Sequence, residues 1–487
     1  MRIRGLILLL CCLVLAVTGC GSDEQTGLPA GAELVPADAV LFVAINTDLD
    51  SGQWKTAGDL LDEFPDGNRL RDMIFEELSD EGIDLEEDVK PAVGPQVNVV
   101  WLDAADDQSI VGLTQPKDAA KLRELLDKSD DELVTREVGG WTAFATDERY
   151  LDALEQGSAE GALSEDARFA DAMGRVAADS LARFYFNGPR AAAAFEETMG
   201  FDVSKVTDLL PGGELPWFSA SLSVEDSGGR LDGAAGFAGD PEGYVGPSYE
   251  AGLPDVVPDG ALAYVSFKDL EAQISKLRDA FAQVEPEIER DIGRFENELG
   301  VSIEEDIGPL LAGEGALYVR QSLFIPEVTL LLEVEDEAGA MDVVDSLIAG
   351  SREYLPLGEP RTVDIEGVEA RQVDIEEPVS LFYAAFDGHL VVTTQRSGIT
   401  ALQEDDDRLS GDDRFQGALD DAGMPDETTG FAYVDLKSTI PYVLDFLGAG
   451  EDVPEEVDRN LEPLDQVVTY STRDGNTIEY TGFLSID

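Results

Sequence analysis

The strongest constraint on this chain is that much of its sequence occurs twice. Pro36-Ala37-Asp38-Ala39-Val40-Leu41-Phe42-Val43 returns as Pro258-Asp259-Gly260-Ala261-Leu262-Ala263-Tyr264-Val265, displaced by 222 residues. GIDLEEDVKPAVG (82–94) returns as GVSIEEDIGPLLAG (300–313), displaced by 218 at its start. Leu163-Ser164 with Arg168-Phe169 matches Leu409-Ser410 with Arg414-Phe415, and Gly236-Phe237 matches Gly482-Phe483, both displaced by 246. Four anchors in one order, the last two equally spaced, imply a duplication, so the fold must be one that can be built twice in tandem. The displacement grows by 28 residues between the second and third anchors. There the second half has RTVDIEGVEARQVDIEEPVSLFYAAFDGHLVVTTQ where the first has EVGGWTAFATDERYLDALEQ, so an added β-hairpin is expected between Arg361 and Thr394.

Within the second half the local pattern is clear. A strand is expected over 261–267, helices over 270–284 and 288–299, a strand over 327–335 and a helix over 338–348. A closing hairpin, 466–473 and 477–486, turns at Asp474-Gly475-Asn476, and the first half closes the same way at Ser227-Gly228-Gly229. Strands joined by tight turns predict an α+β fold: two tandem homologous halves, each a mixed or antiparallel sheet with helices packed on one side. The expected halves are 33–240 and 256–487, with the Gly- and Pro-rich stretch 241–255 as linker.

The N-terminus reads as an export signal. Arg2 and Arg4 precede twelve apolar residues, Leu6 to Val17, too few for the ~20 of a spanning helix. The run ends in Val17-Thr18-Gly19-Cys20, which resembles the lipobox of bacterial lipoproteins. That resemblance implies removal of residues 1–19 and acylation (palmitate or a like chain) of Cys20, with 20–32 as lipidated Cys and tether. Two or three acyl chains hold firmly where one is marginal. The expected location is the extracytoplasmic face of the bacterial cell membrane, in the cell envelope. The other two cysteines, Cys11 and Cys12, would leave with the signal peptide, so the body would carry neither disulfide nor thiolate ligand.

Charge narrows the partners. The sequence has 33 basic and 102 acidic residues, a net of −69; without Arg2 and Arg4 it is −71. Such an acidic protein repels phosphate, so no nucleic-acid partner is expected. Anionic headgroups are repelled likewise, and the membrane is met through the lipid anchor alone. Cations or basic partners would be attracted. The acids are spread along the whole chain, however, which fits solubility better than one ligand.

The stretch PADAVLFVAINTDLDSGQWKTAGDLLDEFP brings together a strand, an Asp-rich turn, Trp54 and a helix. With the two halves and the signal it resembles a bacterial envelope family known only as domain of unknown function 3352. The resemblance extends across most of the mature chain. It implies fold and location, and the family carries no established activity.

Each candidate site has a structural reading. Glu86-Glu87-Asp88 and Glu304-Glu305-Asp306 suggest paired carboxylates, yet Asp84 and Ser302 have Glu87 and Glu305 three residues on, the capping-box spacing. Ser164 and Ser410 read as helix starts. Asn46, Asp48 and Asp50 alternate like calcium ligands, but Ser51 stands where the loop needs Gly and Ala57 where it needs Glu. Asp48 and Asp50 are thus weak metal candidates, read as a turn. Asp103, Asp106, Asp107 and 405–407 read as solvated loops. His389, the lone histidine, follows Asp387-Gly388 and reads as a hairpin-turn residue. One histidine and no thiol exclude zinc sites of several N or S ligands. No G-x-S-x-G elbow, phosphate loop or dinucleotide fingerprint occurs, so no catalytic or cofactor-binding residue and no cofactor is expected. The leading expectation is a non-catalytic binding or scaffolding lipoprotein, with a protein or glycan partner. The rival is a hydrolase acting on envelope or extracellular glycans through two carboxylates. A transport receptor for a small solute fits less well, since those have parallel α/β lobes.

Overall fold

The computed structural model describes residues 27–67, 69, 83–129, 131–199, 203–284, 286–323, 325–352, 354–376, 379–404, 407–446 and 454–487. The expected signal peptide, Cys20, Gly82, Asp405 and Asp406 lie outside them. The protein mixes helix (37%) with strand (33%) in a large antiparallel sheet. Contacts divide it into two units. Unit 1 is Met1–Asp240 with Glu455–Leu464 and Asp474–Asp487; unit 2 is Pro241–Pro454 with Asp465–Arg473.

Unit 1 contains β1 (Leu41–Asn46), β2 (Gln96–Trp101), β3 (Ile110–Thr114), β4 (Val134–Val138), β5 (Trp141–Ala145), β6 (Ala182–Phe186), β7 (Trp217–Glu225) and β8 (Gly228–Gly236). They pair antiparallel in the order β4-β5-β3-β2-β1-β6-β7-β8, and the chain's last strand, Thr477–Ile486, joins beyond β8. Its sheet is covered on both faces, not on one. Phe42 and Ala44 of β1 meet Tyr150, Leu151 and Leu154 of the helix Glu148–Glu160 and Phe169 of the helix Ala167–Gly174. Val43 and Ile45 meet Leu60 of the helix Gly52–Glu63 and Leu122 and Leu125 of the helix Ala119–Leu126. LFVAIN in β1 is nearly unbroken apolar sequence, as a strand buried on both faces requires, and its four central residues are all buried. Phe169 meets Phe42 and Tyr185 edge-on, ring centroids 5.6 and 5.1 Å away.

Unit 2 contains β9 (Tyr249–Glu250), β10 (Ala261–Lys268), β11 (Glu314–Arg320), β12 (Glu327–Glu333), β13 (Arg361–Ile365), β14 (Val368–Glu376), β15 (Val379–Phe386), β16 (His389–Thr393), β17 (Glu427–Thr428), β18 (Gly430–Asp435) and β19 (Leu464–Asp474); Thr477–Ile486 in unit 1 is then β20. The sheet order is β13-β14-β15-β16-β12-β11-β10-β18-β19, again antiparallel throughout. The helix Glu337–Ser351 lays Ala340, Val344 and Ile348 on Leu332, Tyr383 and Leu390. Phe415 of the helix Asp413–Asp421 meets Tyr433 and Tyr264 edge-on at 5.1 and 6.0 Å. The stretch 241–255, expected as a linker, packs on this unit. Tyr249 pairs with Thr428, its hydroxyl is 2.7 Å from that of Ser266, and Leu253 is fully buried. Tyr249 and Leu253 supply apolar weight that the surrounding Gly and Pro mask in the sequence.

Candidate functional site

The turn after β1 is self-contained. Asn46 Oδ1 accepts from the Asp48 amide at 3.0 Å, and Asp48 Oδ1 from the Asp50 amide at 3.4 Å. Ser51 caps the next helix by accepting from the Trp54 amide, and the Trp54 ring N–H donates to the Asn46 carbonyl at 2.8 Å. Such Asx turns explain the alternation of short polar residues by backbone capping. Among the described residues no group of three or more His, Cys, Asp or Glu could hold a metal ion.

Asn46 and Asp48 nevertheless face a cavity of about 310 Å³ in unit 1, bordered also by Gln96, Gln115, Trp141, Asp179, Ser180 and Arg183. The strand register builds it: Ala44 of β1 lies between Asn98 of β2 and Arg183 of β6, and Asn46 lies beside Gln96. Residues 27–30 cross its rim as a strap. Arg183 Nη1 donates to the Gly27 carbonyl at 2.7 Å, and Gln96 Nε2 and Asn98 Nδ2 donate to the Ala30 carbonyl at 2.9 and 2.8 Å. Burial pulls the Arg183 guanidinium down to about 10. Sequence reasoning passed over Arg183. The available signal was polar residues alternating with apolar ones in QVNVVW and ARFYF, which points Gln96, Asn98 and Arg183 inward.

Unit 2 has a larger cleft of about 1010 Å³. Its walls carry Glu271, Glu305, Asp306, Glu333, Glu335, Asp336, Asp342 and Asp387, with His389 and no Lys or Arg. His389 opens β16 after Asp387 and Gly388, whose φ values of 50° and 76° make the tight turn expected there. Several of these acids have structural duties. Asp336 caps the helix Glu337–Ser351 by accepting from the Gly339 amide at 3.0 Å. Asp306 accepts from the Ser302 amide at 2.7 Å, while Ser302 Oγ accepts from Glu305 N at 3.1 Å. The same reciprocal pair holds in unit 1, with Asp88 on the Asp84 amide and Asp84 on the Glu87 amide. The capping box is therefore closed by Asp88 and Asp306, not by Glu87 and Glu305. Both turns, Leu85–Val89 and Ile303–Ile307, are π-helical, and the wider turn carries the fourth residue back to the cap. Ser164 and Ser410 likewise sit in short 3-10 turns, and Asp166 and Asp412 cap the helices that follow. Asp106 is no free loop acid either: Tyr150 donates to it at 2.8 Å.

The acids that burial pushes upward are not among those lining this cleft. Glu314, 3% exposed, accepts from the Gly252 and Leu253 amides, both at 2.9 Å, and burial raises its carboxyl. Asp232, also raised by burial, accepts from Thr481 Oγ1 at 2.9 Å. Both anchor backbone or strand partners.

No family model and no curated protein matches the chain. Among solved structures a match is found to "Structure of crystal form I of TP0453", at 15% identity, covering 48% of this chain and 80% of that one, with a TM-score of 0.23. No helix among the described residues is long and apolar enough to cross a membrane.

Proposed function

We propose that this is a membrane-anchored envelope lipoprotein with a non-catalytic binding or scaffolding role, similar to the domain of unknown function 3352 family, and built by duplication. The observation carrying the role is the use of its buried acids. Among the described residues Glu314, Glu327, Asp435 and the half-buried Asp232 are held by backbone amides, by Arg320 at 2.7 Å, by Arg414 at 2.9 Å and by Thr481, so none of these four is left poised for proton transfer. The duplication is supported by equivalent packing. Phe169 on Phe42 in unit 1 is matched by Phe415 on Tyr264 in unit 2, at the 246- and 222-residue displacements of the anchors. The bridges Pro36–Ala162 and Pro258–Arg408 repeat the same displacements, and β13 and β14 are the surplus hairpin between Arg361 and Thr394.

The anchor is testable directly. Cys20→Ser should remain uncut before residue 20, lose acyl labelling and leave the detergent phase. Unchanged processing and partition would refute the lipoprotein reading. The rival glycan hydrolase has a natural place in the unit 2 cleft, with its eight carboxylates. It would be favoured if single Glu→Gln or Asp→Asn changes there abolished hydrolysis of an envelope glycan by the intact chain.

A further inference from the structure

The unit 1 cavity has an asymmetry of charge that selects its ligand. Arg183 is its single cation, and Asp48 and Asp179 are its anions. Arg183 has five N–H donors. Among the described residues, the Gly27 carbonyl is its hydrogen-bond acceptor, and no carboxylate forms an ion pair with it. A half-buried guanidinium with donors to spare seats an oxyanion well, because charge-assisted bonds are about twice as strong as neutral ones. A simple anion would, however, also meet Asp48 and Asp179, and a simple cation would meet Arg183. A molecule carrying both charges meets all three groups. The volume of about 310 Å³ holds roughly ten waters at ~30 Å³ each, room for such a molecule.

We infer that this cavity binds a small zwitterion, with its phosphate or carboxylate on Arg183 and its primary ammonium between Asp48 and Asp179. Gln96, Gln115 and Ser180 supply neutral donors and acceptors, and Trp141 forms an apolar wall. The inference deepens the binding role proposed above and rests on it, but it does not depend on Cys20 being acylated. If Cys20 is acylated, the anchor lies seven residues before Gly27, at most about 25 Å of extended chain. The strap would then hold this cavity close to the bilayer, where an ethanolamine phosphate headgroup presents the required pair of charges. A free solute of the same chemistry is the other source.

The test is titration calorimetry on the full chain in a non-ionic detergent, with phosphoethanolamine as probe and inorganic phosphate and ethanolamine as half-ligands. Phosphoethanolamine should bind at least about tenfold tighter than either half, and Arg183→Gln should weaken it by about tenfold or more. Asp179→Asn should weaken phosphoethanolamine yet tighten phosphate, an inversion that a folding defect cannot imitate. This second variant keeps the test decisive if Arg183→Gln destabilises the strap. Absence of binding overturns the inference, as would phosphate binding as tightly as phosphoethanolamine or a folded Arg183→Gln that binds normally. Vesicles of phosphatidylethanolamine, compared with phosphatidylcholine, separate the sources. Competition by the former alone supports the headgroup, and binding of the soluble probe without vesicle competition supports a free solute. Loss of anchoring in Cys20→Ser leaves the calorimetry unaltered, so the two readings fail separately.

Discussion

Asp232 shows what a carboxylate inside a sheet does to stability. It stands on β8 opposite Thr481 of β20, whose hydroxyl donates to it at 2.9 Å. Burial pushes its carboxyl up, opposed by the Thr481 hydrogen bond and the nearby Arg230. An acid with a raised pKa in the fold holds its proton more tightly there than in the unfolded chain. Stability is then lost as pH rises from the ordinary Asp value of ~3.9 through the raised folded value. Asp232→Asn keeps an oxygen for Thr481 and removes the buried charge. Its urea midpoint should exceed that of the parent at about pH 7.5, and the gain should vanish below about pH 4. A variant weaker at both pH values would show that the ionised carboxylate has stronger partners than Thr481. At this scale the sequence told residue types better than partners. Asp84 and Ser302 cap as expected, but the π turns that bring Asp88 and Asp306 back to them leave no mark in a spacing rule built for α-helices. Arg183 was hidden for another reason: one cation in an apolar strand looks like an ordinary alternation until the neighbouring strands are placed.

Among elements, the like aromatic contacts in the two units are the best handle on the proposed duplication. Phe169 and Phe415 are each almost fully buried, and each sits edge-on between two rings of its own sheet. Truncating a buried Phe to Ala removes its transfer free energy and leaves a cavity, about 3–5 kcal/mol together. Phe169→Ala and Phe415→Ala should therefore cost similar amounts in chemical denaturation of the full chain. If one cost several kcal/mol and the other less than about 1, the two rings would not be equivalent parts of one repeated design. Elements were legible where periodicity was strong. The helix Leu270–Val284 and the strand Thr477–Ile486 match the expected bounds, and Gly475, at φ 59°, makes the turn before that strand. The covering of both sheet faces was missed because short antiparallel hairpins suggested a one-sided sheet, although LFVAIN already lacked the polar alternation of an exposed face. The segment 241–255 reads as linker because its Gly and Pro residues outnumber the buried Tyr249 and Leu253.

For the molecule as a whole, charge is the dominant unspecific force. At a net −69 over 487 residues, folding confines like charges that the unfolded chain spreads apart, so self-repulsion opposes the compact state. Ion pairs relieve this only locally. Arg175 gathers Asp171, Asp474 and Glu479, and Arg414 gathers Asp435 and Asp465, yet 33 basic residues cannot neutralise 102 acids. Added salt screens the remainder, with a Debye length of about 10 Å at 0.1 M and about 3 Å at 1 M. The melting temperature should accordingly rise with NaCl. Calcium separates diffuse screening from a dedicated site, because a site stabilises the native state by mass action and saturates, whereas screening follows ionic strength. With the Asp48 carboxylate accepting from the Asp50 amide, and no group of three or more acids among the described residues placed to hold a metal ion, calcium at low millimolar levels should exceed NaCl of equal ionic strength only modestly. The unit 2 cleft is where a larger effect would originate, since its lining carries eight acids and no Lys or Arg. A melting temperature indifferent to salt would mean that the acids are too dispersed to repel. A large, saturating calcium shift that survived Asp48→Asn with Asp50→Asn, but not Asp336→Asn with Asp387→Asn, would move the cation from the diffuse atmosphere into that cleft.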